Sequence, residues 1–259
     1  MDDTRLQPLV DLAERLAEAA APVSLSYFRS GVGVETKSDE SPVTIADREA
    51  EAAMRRIIEA ECPDHGIVGE EHGAVREDAD FVWVLDPIDG TQSFATGKPL
   101  FGTLIALLYE GEPIVGVMDM PALRERWVGA RGRPTLFDGT PSQTRGCRSL
   151  ADAWLYATSP QMFEGDHFDR FETLRQTCYR AVYGAECHAY GLLANGWVDV
   201  VCEDTMQPYD YAALVPIVEG AGGVMGDWKG ERLSMTSDGT VLAVGDPALL
   251  DAAVAALAD

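Results

Sequence analysis

The spacing of apolar residues divides the chain into a helical start, a strand-rich middle and a second half in which the two types alternate. Apolar residues recur at three- and four-residue steps over 5–29, which predicts a first helix that Pro22 should kink or split. A second apolar stripe between residues 50 and 58 predicts another helix. Thr44 and Asp47 form a capping pair at its start, and Cys62 with Pro63 ends it.

The middle of the chain changes to runs of Val, Ile, Leu, Phe and Trp bounded by turn residues, which are typical of strands. The predicted strands cover residues 66–69, 81–86, 102–109, 113–118 and 126–129. The four residues 109–112 contain Gly111 and predict a hairpin turn.

The second half alternates between strands and helices. Strands are predicted near 153–157, 178–183, 197–202 and 241–244, and helices near 163–176, 186–195, 208–221 and 247–258. Helices and strands mixed throughout favour a mixed α/β (α+β) fold of packed layers. We expect a single domain over 1–259 with two sub-lobes, about 1–145 and about 146–259.

The composition is that of an ordinary globular protein, with 46% hydrophobic and 24% charged residues. No apolar run approaches the ~20 residues that cross a bilayer, and the acidic N-terminus does not resemble a signal peptide. These features predict a cytoplasmic protein with no membrane partner. The five cysteines are widely spaced without a C-x-x-C pair, so we expect reduced thiols.

A formal net charge of −23 disfavours nucleic acid as a partner, because both surfaces are negative. The same charge repels a phosphate ester, so such a substrate would need a local positive centre. Bound divalent cations would supply one. Solubility or a salty cytoplasm would account for the acidity equally well.

The segment 83–91, Trp-Val-Leu-Asp-Pro-Ile-Asp-Gly-Thr, carries the strongest chemical signal. An apolar strand delivers Asp86 at its end and Asp89 three residues later, and two such close carboxylates are stable mainly with cations between them. Gly90 and the residues after it can open a helix whose free N–H groups bind phosphate. A bare D-x-x-D pair is more often a helix cap, but the nine-residue segment is far more specific.

Two further acids have both a structural and a functional interpretation. Glu70 ends the strand near 66–69 and could join the cation site, although an isolated acidic pair is more often a charged loop. Asp210 lies in the first turn of a helix that Pro208 begins, where compensation of the helix dipole would also explain it. Hard oxygen ligands of this kind suit Mg²⁺.

Other reaction classes lack their motifs. The chain has no G-x-S-x-G nucleophile elbow and no G-x-x-x-x-G-K-[ST] phosphate loop. The glycine-rich run 220–223 follows a helix and does not stand between a strand and a helix, so it indicates a helix C-cap and turn.

The segments 69–71 (Gly-Glu-Glu), 86–91 (Asp-Pro-Ile-Asp-Gly-Thr) and Asp210 before 219–223 closely resemble the inositol monophosphatase family in order and spacing. The resemblance extends from the first helix to the last. It implies a layered α-β-α-β-α sandwich of the inositol monophosphatase and fructose-1,6-bisphosphatase type. It also implies a Mg²⁺-dependent phosphatase, usually a homodimer and often inhibited by lithium.

Carried over to this sequence, the resemblance implies two Mg²⁺ ions and a third, more weakly bound one that would be coordinated by Glu70 and water. The first ion would be held by Glu70, Asp86 and the carbonyl of Ile88. The second would be held by Asp86, Asp89 and Asp210. The pair of cations would drive an in-line displacement at phosphorus.

The same resemblance implies roles for residues around the metals. Asp47, Thr91 and Glu70 form the predicted catalytic set, in which Asp47 and Thr91 orient and activate the attacking water. The amides of Gly90 and Thr91 would bind the phosphate. Lys37 matches a loop lysine that is often found near the metals.

The neighbours of Asp210 are tyrosines, whereas inositol-type members usually carry Trp immediately before this aspartate. Together with the segments 97–106, 123–129 and 207–216, this resembles the histidinol-phosphate phosphatase branch. That branch implies L-histidinol phosphate as substrate and a late step of histidine biosynthesis.

The predicted substrate pocket involves residues 183–186 and the neighbourhood of Glu203. Gly184 and Glu186 are its main candidates, because the ammonium of histidinol requires a carboxylate such as that of Glu186. A helix-capping acid is the competing interpretation. Arg180 could hold the phosphate or neutralise Glu186, and could equally be a strand-edge arginine.

Two alternatives stay open. Inositol-1-phosphate, a sugar phosphate or a nucleotide 3′-phosphate would keep the chemistry and change the substrate. A catalytically dead relative with a regulatory role is the other. A complete set of candidate residues argues against it: Asp47, Glu70, Asp86, Asp89, Thr91 and Asp210.

Overall fold

The structure, a computed structural model, describes residues 3–30, 35–36, 42–43 and 45–258. The described part begins with two helices and a small ribbon of two strands between them. In chain order these are α1 (Asp3–Tyr27), β1 (Glu35–Thr36), β2 (Pro42–Val43) and α2 (Ile45–Glu61).

An eight-stranded sheet follows, and the short helix α3 (Thr91–Ala95) leaves it after its third strand. The strands are β3 (Gly66–Gly69), β4 (Gly73–Val75), β5 (Phe81–Asp89), β6 (Gly102–Tyr109), β7 (Glu112–Met120), β8 (Glu125–Ala130), β9 (Leu136–Phe137) and β10 (Thr140–Pro141). Their spatial order is β10-β9-β8-β7-β6-β5-β3-β4. Only the β3–β5 pair among these is parallel.

The second half forms a five-stranded sheet with five helices. The elements are β11 (Trp154–Ala157), α4 (Asp166–Thr177), β12 (Arg180–Tyr183), α5 (His188–Ala194), β13 (Val200–Glu203), α6 (Pro208–Tyr211), α7 (Leu214–Gly220), β14 (Val224–Gly226), β15 (Val241–Val244) and α8 (Leu250–Leu257). The spatial order is β12-β11-β13-β15-β14, parallel among the first three and antiparallel after them.

Five layers result from the packing of these elements. Helices α1 and α2 cover the outer face of the first sheet, while α5, α6 and α7 lie between the two sheets, and α4 and α8 cover the outer face of the second. The central core contains residues of both sheets, so each sheet is buried on both faces over much of its area. The predicted layered α-β-α-β-α fold is confirmed.

The predicted strands agree with the structure, and two predicted helices differ from it. Pro22 lies inside the single helix α1, which it does not split; the buried stripe of α1 packs on α2 and on the first sheet, and this packing maintains the helix. The helix predicted over 208–221 is divided into α6 and α7. Pro216 has no N–H to donate to the carbonyl of Ala212, and the backbone hydrogen bonds lapse at that point.

Several short strands were not predicted: β1 and β2 of the small ribbon, and β4, β9, β10 and β14 at or near the edges of the two larger sheets. They have two or three residues each, too few for a recognisable alternation. No helix in the described ranges is both long enough and apolar enough to cross a membrane.

Candidate active site

The two aspartates of the segment 86–89 are brought to one side of the sheet by a bulge in β5. Asp86 pairs with Leu104 and Asp89 with Gly102, so the ladder between β5 and β6 shifts between them. In a regular strand, residues three apart point to opposite faces, and a bulge can redirect one of them. The hydroxyl of Thr103 donates to the carbonyl of Pro87 at 2.8 Å and fixes the bulge.

The third aspartate, Asp210, comes from α6 in the layer between the sheets. Gln207 is the N-cap of this helix and Pro208 begins it, while an Asp210 oxygen accepts the backbone N–H of Gln207 at 2.6 Å. Helix α6 packs on β5. As a result, one carboxylate oxygen each of Asp86, Asp89 and Asp210 lie within 4.8 Å of one another.

This three-aspartate cluster is electrostatically unfavourable when it is fully charged. Burial, and then the charges of Glu70, Asp89, Asp210 and Asp47, raise the pKa of Asp86 far above its ordinary value. Burial also raises the pKa of Asp89 and of Asp210, and neighbouring acids add to both shifts. The Oδ1 atom of Asp86 is buried without a hydrogen-bond partner in the described part of the chain. A hard divalent cation would satisfy that oxygen and neutralise the cluster.

Glu70 and Asp47 lie around this cluster without being members of the three-oxygen group. The backbone N–H of Glu70 donates to Leu85 at 3.2 Å, so Glu70 continues the pairing of β3 with β5. Asp47 is buried in the first turn of α2. Both carboxylates are close enough for their charges to raise the pKa of Asp86.

A buried ion pair on α2 supports the turn that contains Glu70, and sequence reasoning missed it. Glu51 accepts Nε of Arg55 at 2.6 Å and the backbone N–H groups of Glu71 and His72 at 2.7 and 3.2 Å. A Cβ at Gly69 would lie 2.0 Å from Oε1 of Glu51, so a larger residue there would displace the Glu51 carboxylate. An i,i+4 Glu–Arg pair on α2 was the available signal, but such pairs are common on exposed helix surfaces.

The residues after Asp89 form a tight turn into α3. Gly90 is the N-cap with φ 79°, and a Cβ there would lie 2.8 Å from Cγ of Glu186 and 3.1 Å from the Leu100 carbonyl. The hydroxyl of Thr91 donates to the carbonyl of Ile88 at 3.2 Å. The predicted helix after Gly90 is therefore present, and Ile88, Gly90 and Thr91 adjoin one another beside Asp89.

A cavity of about 200 Å³ opens next to the cluster and contains an unusual number of acids. Asp89 and Asp210 line it from the cluster side, and Glu186 after β12 and Glu203 at the end of β13 line it from the opposite side. Glu203 is buried and accepts the backbone N–H of Thr158 at 3.0 Å and its hydroxyl at 3.1 Å. Burial raises the pKa of Glu203 to about 8.

The structure does not bring every predicted residue to this cavity. Arg180 is exposed on the edge strand β12, its guanidinium lies 5.4 Å from the Tyr179 ring, and it lines a separate surface depression. Gly184 lies beside Glu186 in the turn after β12 and accepts the Lys98 ammonium through its carbonyl. Lys37 and Thr44 lie outside the described residues.

The five-layered fold and the carboxylate cluster agree with the comparisons, which make the chain a phosphoric monoester hydrolase. The profile of the inositol monophosphatase family matches residues 5–259, and the chain belongs to this family. Enzymes of this family depend on metal ions.

Three known proteins show how similar in sequence and structure the relatives are to this chain. The bifunctional phosphatase IMPL2, chloroplastic, of Arabidopsis thaliana is 48% identical over 245 residues, covering 94% of this chain and 71% of that protein. A histidinol-phosphatase of Chlorobaculum parvum is 35% identical over 240 residues, covering 92% and 93%. The solved structure of an inositol monophosphatase from Zymomonas mobilis superposes with a TM-score of 0.90 at 46% identity, covering 97% and 98%.

Proposed function

We propose that the protein is a Mg²⁺-dependent phosphatase of L-histidinol phosphate, acting late in histidine biosynthesis. The observation that carries the choice of substrate is the acidic cavity beside the aspartate cluster. Glu186 and Glu203 line it, and a leaving group with an ammonium would find a carboxylate there. A relative at 35% identity that carries the name histidinol-phosphatase supports the same choice.

The proposed metal ligands are hard oxygen donors, which fit Mg²⁺. Asp86, Asp89 and Asp210 would hold one ion, and Glu70, Asp86 and the Ile88 carbonyl would hold another. When bound, Mg²⁺ would neutralise the phosphate, lower the pKa of a water molecule and stabilise the leaving alkoxide. The buried, unpartnered Oδ1 of Asp86 supports this assignment.

The chain's own groups would orient the reactants. The hydroxyl proton of Thr91 is donated to the Ile88 carbonyl, so the hydroxyl oxygen would act as an acceptor for a hydrogen bond from the attacking water. Glu70 and Asp47 are carboxylates that would take up the proton of that water. The N–H groups of Gly90 and Thr91 would position the phosphate, whose bond to the alcohol oxygen breaks as water oxygen attaches to phosphorus.

Inositol-1-phosphate is the second candidate substrate. It is favoured by the 46% identity to a solved inositol monophosphatase that covers nearly the full length of both chains. The acidic cavity argues against it, because inositol is uncharged.

We also propose that the protein is a cytoplasmic homodimer. Light scattering at several protein concentrations would test the dimer, and cell fractionation would test the location.

The test is phosphate release from L-histidinol phosphate and inositol-1-phosphate, with Mg²⁺ and with a chelator. We expect Mg²⁺-dependent turnover with a kcat/KM at least about tenfold higher for histidinol phosphate, since a charge-assisted hydrogen bond contributes about 1.5–3 kcal/mol. Glu186→Gln should remove that preference, and Glu59→Gln, which changes an exposed acid on α2, should not. Equal or reversed preference in the unsubstituted enzyme would contradict the histidinol phosphate assignment.

A further inference from the structure

The turn that carries Glu186 is held in an uncommon backbone conformation. Gly184 has φ 81° and Glu186 has φ 52°. A side chain in the left-handed region is disfavoured and persists where its surroundings hold it in place. The conformation of residues 184–187 therefore depends on contacts made from outside the turn.

Three such contacts come from Asp89 and from the segment that follows it in the chain. An oxygen of Asp89 accepts the backbone N–H of Cys187 at 2.8 Å. The hydroxyl of Ser93 donates to Oε1 of Glu186 at 2.7 Å, and the ammonium of Lys98 donates to the carbonyl of Gly184. The same ammonium lies 3.9 Å from Oε1 of Glu186.

Lys98 is itself fixed by the turn at the end of α3. Its backbone N–H donates to the Ser93 carbonyl at 2.8 Å, and Gly97 before it has φ 76°. The guanidinium of Arg29 donates twice to the Gly97 carbonyl, at 2.9 and 2.8 Å. The α3 segment thus joins the aspartate cluster at its start to the Glu186 turn at its end.

Both side-chain contacts of Glu186 fall on Oε1. Its other carboxylate oxygen, Oε2, is then the one to accept an ammonium in the 200 Å³ cavity that Glu186 lines with Asp89 and Asp210. An acid with one oxygen already fixed loses less rotamer freedom when a substrate binds. Ser93 and Lys98 are the two side chains that fix it.

We infer that Ser93 and Lys98 are positioning residues that select a phosphate ester with a cationic alcohol by holding Glu186 toward the cavity. The inference rests on the proposed function and adds to it the pair that makes Glu186 effective. Neither residue is required to touch the phosphate or the metal ligands for this role.

The experiment measures kcat and KM for histidinol phosphate and inositol-1-phosphate in Lys98→Met, Ser93→Ala and Glu186→Gln, and in the double variant with Lys98→Met and Glu186→Gln. Lys229→Met is the matched control, because Lys229 forms an exposed ion pair with Asp238. Circular dichroism and melting temperature establish that each variant is folded.

We expect Lys98→Met to raise KM for histidinol phosphate about tenfold with little change in kcat, the pattern of lost ground-state binding. Ser93→Ala should have a smaller effect in the same direction, and Lys229→Met none. The losses on inositol-1-phosphate should be smaller in every variant, because its alcohol carries no ammonium, and Lys229→Met should leave the kinetics on both substrates unchanged. In the Glu186→Gln background Lys98→Met should add less than about twofold, because coupled residues are not additive.

The other outcomes separate a failure of this inference from a failure of the proposed function. Equal losses on both substrates, additive effects in the double variant, or a lower KM in Lys98→Met would each overturn the positioning role of Lys98. If Lys98→Met does not fold, an unchanged KM in Ser93→Ala overturns the inference. If the unsubstituted enzyme shows no preference for histidinol phosphate, that result contradicts the proposed function itself. If the unsubstituted enzyme has the preference and Lys98→Met keeps it, the result overturns this inference and leaves the proposed function in place.

Discussion

Asp199, next to β13, and Asp86 in the aspartate cluster are both buried, yet the chain supplies a positively charged partner to only one of them. Asp199 accepts Nε of Arg145 and the backbone N–H of Trp154, at 2.7 and 2.8 Å. Asp86 has acids around it, and its buried Oδ1 has no hydrogen-bond partner among the described residues. A buried charge needs a partner. The contrast indicates that the aspartate cluster is the place where a positive charge has to be supplied from outside the chain.

The largest effect should follow when a cluster carboxylate loses its charge. Asp89→Asn should lower Mg²⁺-dependent kcat/KM by about a thousandfold or more, on the order of a lost oxyanion or metal contact. The melting temperature of the metal-free protein should stay the same or rise, because repulsion within the cluster is relieved. Asp78→Asn, in an exposed turn, is the control. Unchanged turnover in Asp89→Asn would remove Asp89 from the mechanism.

The reverse should hold where a buried acid has a partner inside the chain. Glu51 and Arg55 are both buried, so Glu51→Gln leaves Arg55 uncompensated and should destabilise the metal-free protein by about 3–5 kcal/mol. Urea unfolding measures this loss. Glu61→Gln, which breaks an exposed pair with Arg15, should cost much less. Equal losses of stability in the two variants would contradict the expected difference between a buried and an exposed ion pair.

Metal binding should supply the missing partner of the cluster. At a Mg²⁺ concentration of 100 times Kd, binding should stabilise the folded state by about 2.7 kcal/mol and raise Tm by about 5–10 °C. Differential scanning fluorimetry with Mg²⁺ and with a chelator measures the shift. Asp86→Asn should abolish it while Asp78→Asn keeps it. A Tm that is the same with and without Mg²⁺ would contradict the presence of such a site.

The remaining expected effect is a pH dependence of the stability of the metal-free protein. Acids with a raised pKa bind protons more tightly when folded than when unfolded, so their stabilisation is present near the ordinary pKa of about 4 and is lost as pH rises. For Glu203 the loss continues to about pH 8. The urea concentration at the midpoint of unfolding, measured in the presence of a chelator, should therefore decrease as the pH is raised from 5 to 8. A midpoint that rises over this range would contradict the raised pKa values of these acids.

Much of the fold and the cluster could be predicted because the signals are local. The segment around Asp86 and Asp89 is continuous, and the strands over 66–69, 102–109 and 241–244 have the predicted bounds. The division of the helix at 212–213 lies next to the hydrogen bond that Pro216 cannot donate. It could have been read from Pro216, which the predicted helix overlooked.

The supporting contacts could not be predicted, because they join residues that are distant in the sequence. Nothing near Ser93 or Lys98 indicates that their partners lie in the turn 184–186, and nothing near Arg180 shows that β12 is an exposed edge. Glu51 likewise meets the backbone of Glu71 and His72 only after α2 packs on the first sheet.

The central claim is that the three aspartates are a divalent cation site, and a crystal soaked in Mn²⁺ tests it most directly. The anomalous difference map should show a peak bounded by the carboxylates of Asp86, Asp89 and Asp210, and the peak should be absent in Asp89→Asn crystals treated alike. A map without a peak there, with the three carboxyl groups bonded to one another through shared protons, would contradict the account.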